Sequence, residues 1–198
     1  MSDPAIALLE FDSISAGIVA GDAIVKTAPI GAIYAGTVHP GNYLVFVSGD
    51  TASVEIALAK GSATGGSHVT DSVFLPDVHP QVSEAIVGFD GAANLEAEAL
   101  GVVETSTVAA IIDSADAGVK SADVRLSAIR LADGLGGKGY ALFSGVVAEV
   151  EAAVEAAVER AERHGTLIRS DVISQLHEEM VDNVGADLIF LRRIGGES

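Results

Sequence analysis

The second half of this chain repeats the first. LLEFDSISAGIVAGDAIVKTA (8–28) lies over VVETSTVAAIIDSADAGVKSA (102–122) without a gap, so Glu10 meets Glu104, Asp22 meets Asp116, Lys26 meets Lys120 and Ala28 meets Ala122. At this 94-residue offset, 8 of the 19 positions from Glu10 to Ala28 are identical. Farther on, FVSGDTASVE (46–55) lies over LFSGVVAEVE (142–151) at an offset of 96, and His79 lies over His177 at 98, so small insertions accumulate between the matched blocks. Two copies of so long a unit exclude a solenoid, which stacks many short repeats. They require a domain that folds twice. The expected domains are 1–92 and 93–198, with a seam in the Gly-, Ala- and acid-rich GFDGAANLEAE (88–98).

Each copy reads alike. A short apolar strand (about 5–11, and 99–104) precedes a helix that Ser13 caps in copy one and Ser106 or Thr107 in copy two. The apolar face of that helix is expected to carry Ile14, Ile18 and Val25, and Val108, Ile111 and Val119 in the second copy. Two strands joined by a tight connection follow, then a second helix. That helix is clearest at 146–165, where Val150, Val154 and Val158 step by four and Gly165 can end it. A further strand (about 68–75, and 166–173) and a short helix close the copy. The order β-α-β-β-α-β predicts an α+β fold, a sheet with helices on one face, in two tandem copies.

Composition narrows the partners. With 11 basic and 28 acidic residues the net charge is −17, which repels phosphate backbones and anionic lipid and argues against nucleic acid and membrane as partners. There is no cysteine, hence no disulfide, no thiolate metal site and no cysteine-ligated iron–sulfur cluster within the chain. MSDPAIALLEFD lacks the basic start of a signal peptide, and no apolar run reaches the roughly 18–20 residues of a membrane span.

Few motifs survive inspection of their context. GLGGKG (134–139) matches G-x-G-x-x-G, but YALFSG after it reads as a strand, whereas a dinucleotide fingerprint must open a helix. It reads instead as a glycine turn, and the repeat places it opposite TVHPG (37–41) in copy one. None of the five histidines forms H-E-x-x-H, and the repeat mates His79 and His177 suit a structural hydrogen bond. His164 stands near a helix C-terminus, where a cation is favoured. No acid, base and nucleophile emerge as a set, so an enzyme is not expected.

The pattern VVETSTVAAIIDSADAGVKSADVRL closely resembles the opening of the bacterial microcompartment shell domain, and LLEFDSISAGIVAGDAIVKTAPI resembles it more loosely. With two copies, the chain resembles the tandem-domain shell proteins, most of all the propanediol-utilisation type. AGDAIVK, HPGNYL and GLGGKGY share that pattern. The resemblance implies a homotrimer shaped as a pseudohexamer, tiling with other microcompartment shell proteins in the shell within the bacterial cytoplasm. It implies a central pore for small polar metabolites, lined by Val38, His39, Pro40 and Gly41 from copy one and by Asp133, Gly134, Leu135, Gly136 and Gly137 from copy two. Lys26 and Lys120 map to the family's edge lysine, and His79 and His177, before the last helix of each copy, are expected with them at the tiling edge.

The resemblance also carries departures. In the propanediol-type relative a cysteine at the place of His39 holds an iron–sulfur cluster with its symmetry mates; here that cluster is not expected. Three His39 rings on a threefold axis would instead make a ligand set for a divalent metal such as zinc, or line an aqueous pore without one. The arginine that single-domain relatives carry before the last helix is missing from PDVH (76–79) and SQLH (174–177). A pore-located metal or redox site and a ferredoxin-like small-molecule sensor stand as alternatives to a shell tile.

Overall fold

The computed structural model describes residues 4–87, 95 and 97–185. The expected seam and the boundary at 92/93 lie largely outside the described residues. Copy one contains β1 (Ala5–Phe11), α1 (Ile14–Thr27), β2 (Ala32–Val38), β3 (Asn42–Gly49), α2 (Thr51–Gly65), β4 (Val69–Leu75) and α3 (Pro80–Val87). Copy two contains β5 (Ala99–Thr105), α4 (Val108–Ser121), β6 (Arg125–Leu131), β7 (Gly139–Gly145), α5 (Val147–His164), β8 (Leu167–Ser174) and α6 (Glu178–Gly185). The two antiparallel sheets have the same strand order, β2-β3-β1-β4 and β6-β7-β5-β8, as the duplication requires.

Local chemistry sets the element ends. The Ser13 hydroxyl accepts from the Ala16 amide and Thr107 from the Ala110 amide, so each first helix begins on a side-chain cap. Asp50 caps α2 through the Ser53 amide and hydroxyl. Gly165, at φ 67°, ends α5 with its amide directed at the Ala161 and Glu162 carbonyls, in the left-handed conformation that glycine adopts without cost.

Strand alternation assigns the two faces of each sheet. In β1, Ala5, Ala7, Leu9 and Phe11 point to α1 and α2, where Ala20, Ile24, Val54 and Ala57 complete a core. Ile6 and Leu8, on the opposite face, join a second core with Val73 and Leu75 of β4 and with Val108, Ile111 and Ile112 of α4. Copy one thus lends the back of its sheet to copy two, and every residue of β1 is buried. This junction corrects one expectation. In α4 the apolar face is buried as read, but Ile14, Ile18 and Val25 of α1 are exposed, and Gly17, Ala20, Gly21 and Ile24 face the sheet instead. The reason is close approach: a Cβ on Gly17 would stand 2.4 Å from the Tyr43 ring, so α1 presses its small residues inward and turns its large ones outward.

The back of each sheet is finished differently. In copy two, Leu95 packs on Leu100, Ala128 and Leu142, with Val181 and Val184 of α6 against them. In copy one the corresponding place is an open apolar hollow of about 410 Å³ bounded by Leu8, Tyr34, Phe46, Ile86 and Leu131.

Candidate functional site

The β2–β3 turn and the β6–β7 loop come together, although 94 residues separate His39 from Asp133 in sequence. His39 Nδ1 lies 3.7 Å from Asp133 Oδ1, too far for a hydrogen bond but within ion-pair reach when the imidazole is protonated. Behind them the buried Gly137 packs on Pro40, where a Cβ would stand 3.3 Å from the ring. The second loop is a compact turn: the Leu135 amide donates to the Ala132 carbonyl and the Ala132 amide to the Lys138 carbonyl. Gly134, Gly136 and Gly137 all sit at positive φ, which a run of glycines allows. β7 follows directly, so this glycine run opens a strand and not a helix. Val38 and Leu135 are half-buried; His39, Pro40, Gly41, Asp133, Gly134 and Gly136 are exposed. Among the described residues no three His, Cys, Asp or Glu side chains gather to hold a metal, so one chain offers His39 a single acidic neighbour and no ligand set.

A second polar cluster lies at the junction of the two copies. Glu10, on the back of β1, is buried, and its Oε1 accepts from the Ala109 amide at 2.5 Å, in the first turn of α4. Burial pushes the Glu10 carboxyl up from 4.5 to about 7, against the Ala109 amide, which favours the anion; nearby Asp71 adds to the rise. Thr107 Oγ1 donates to Asp71 Oδ2 at 2.5 Å. His164 bridges the copies, with Nδ1 3.2 Å from Asp71 and Nε2 3.3 Å from Asp113; Arg160 reaches Asp113 at 3.6 Å. Sequence reasoning missed this cluster. Its one signal was the glutamate repeated at the end of an apolar strand.

The expected edge residues have unequal surroundings. Lys26 is exposed and pairs with Asp22 one turn back. Lys120 pairs with its own Asp116 and also donates to the Asp77 carbonyl of copy one, so it is held at the junction. The Asp116 carboxylate in turn accepts from the His79 amide. His79 and His177 do the same structural work: each Nδ1 accepts an amide two residues on, from Gln81 and Glu179, at the start of α3 and α6. Gln81 then spans the junction, donating to the Val124 carbonyl and accepting from the Leu126 amide.

Two like domains, one laying its sheet on the other's helix, define a class of tandem, internally duplicated α+β proteins. The family model for the BMC domain matches residues 5–78 and again 99–176. The chain belongs to the BMC-domain family, the bacterial microcompartment shell proteins, as a tandem member. It is 39% identical over 176 residues to the bacterial microcompartment shell protein PduT of Citrobacter freundii, covering 89% of this chain and 95% of that one. The crystal structure of a microcompartment protein from Desulfitobacterium hafniense superposes with a TM-score of 0.76 at 38% identity, covering 89% of this chain and 97% of the other. The shell protein EutM of Escherichia coli matches over 83 residues at 37% identity, 42% of this chain and 84% of EutM, which is the span of a single domain.

Proposed function

We propose that three copies of this chain close into a ring of six domains that serves as a tile of a microcompartment shell, with the two turns around a central opening. One observation carries the reading: identical or similar residues at repeat-equivalent places are buried in one copy and bare in the other. Ile112 of α4 is 0% exposed and its mate Ile18 of α1 is 53% exposed. Leu75 of β4 is 6% exposed and its mate Ile173 of β8 is 38% exposed. The bare helix face and the bare strand are the two halves of the junction already made inside the chain. Joining them between chains is a head-to-tail contact, which generates a ring when the rotation closes. Six like domains divide a full turn evenly, so three chains suffice.

On this reading, small polar metabolites cross at the His39 and Asp133 turns, and the outer rim with Lys26 meets other shell proteins. The protein resides in the shell, within the bacterial cell. Its role is structural and selective, without catalysis. The test is mass: sedimentation of the full chain should give three times 20.0 kDa. Ile18→Asp should reduce it to single chains with unchanged far-UV circular dichroism. A wild-type chain that sediments alone at micromolar concentration sinks the ring.

A further inference from the structure

The junction inside the chain has a feature whose second half is unused. Neither α1 nor α4 carries an acid in its own first turn. At α4 the missing acceptor is supplied by the other copy: Glu10 Oε1 takes the Ala109 amide, one of the helix-start N–H groups that have no partner within the helix. Every participant has a mate. Glu104 stands at the Glu10 position of β5, and Ser15 stands at the Ala109 position of α1, both 94 residues away. Ala109 is fully buried at the junction, whereas Ser15 is exposed. In the single chain Glu104 turns to Lys138 at 2.9 Å and stays partly exposed.

We propose that Glu104 is the residue that fixes one chain on the next, by accepting the Ser15 amide at the start of the neighbouring chain's α1. This rests on the ring described above and adds to it the acceptor, the donor and the register. The surroundings of the two glutamates differ. The strand neighbour of Glu10 is Asp71, but that of Glu104 is Arg169. Glu104 therefore meets the helix end beside Lys138 and beside Arg169, whose guanidinium is also paired with Asp171. The contact between chains is thereby written in charge, while the one inside the chain excludes water from its acid.

A charge swap tests this on the full chain. Ser15→Asp gives α1 an acid of its own, which suits the isolated helix, but sets it against Glu104 across the seam. It should raise the trimer dissociation constant by about tenfold or more, since a like-charge juxtaposition at a seam costs over 1.4 kcal/mol. Adding Glu104→Lys should restore assembly to within about threefold of wild type, although Glu104→Lys alone weakens it. Sedimentation equilibrium reads the constants, and circular dichroism shows that each chain folds. If wild type is trimeric and the two substitutions simply add, the contact is wrong while the ring stands. If wild type is monomeric, the ring itself is wrong.

Discussion

Glu10 concentrates the chemistry of the junction in one side chain. Its folded value near 7, against 4.5 in the open chain, means that the folded state holds a proton the unfolded state releases. The sign follows: this contribution to stability is whole below about pH 4.5 and is lost as pH rises through 7. A rise of that size corresponds to about 3 kcal/mol. Urea unfolding of Glu10→Gln should show a flatter dependence on pH between 5 and 8 than wild type. The variant should be the more stable of the two at pH 8, because Gln keeps the acceptor for Ala109 without a charge. At this scale the sequence was only partly legible. The capping hydroxyls of Ser13 and Thr107 follow from local spacing. The burial of Glu10 does not, because it depends on a domain that lies 99 residues further on. His164 read as a cation near a helix end; its two aspartate partners come from different copies and share no local pattern with it.

Among elements, strand and helix order was legible because each period is carried by the chain itself and is written twice. Facing was not. The valine stripe of α5 falls on its own sheet, with Val150 and Val154 buried. In α1 the large residues look outward, because Gly17, Ala20 and Gly21 let the helix sit close to the sheet. Apolar periodicity shows that a face is covered, but not by which body. The close fit of α5 makes a second prediction. Gly101 of β5 has no room: a Cβ would lie 2.6 Å from Val154 and 2.8 Å from Val150. Gly101→Ala should cost about 1–3 kcal/mol by overpacking, read as a fall in unfolding temperature with α5 still helical. Gly134→Ala would meet no neighbour, but must hold φ 73°; its cost is the backbone conformation alone.

For the whole molecule, duplication was the most legible property; that the two turns share a location followed only from the family resemblance and not from local pattern. TVHPG and GLGGKG were matched by their place in the repeat, and the 3.7 Å between His39 and Asp133 gives that match a shared location. Around a threefold opening three copies of Asp133 would set three carboxylates together, in an assembly of chains that each carry −17. Asp133→Asn should raise anion over cation permeability several-fold in planar-bilayer recordings. The effect should fade as salt shortens the screening length below about 8 Å. His39→Ala should alter that ratio while leaving the trimer mass unchanged; loss of the trimer would make His39 an assembly residue.

The seam where α4 lies on the back of the first sheet has a kinetic consequence. Because that seam is covalently tethered, its two sides meet at the effective concentration of a linked pair, of millimolar order for a short link. In the proposed ring, only three of six joins would then remain to be found by diffusion. A ring built this way should nucleate at lower protein concentration, and survive deeper dilution, than one assembled from six separate domains with the same contacts.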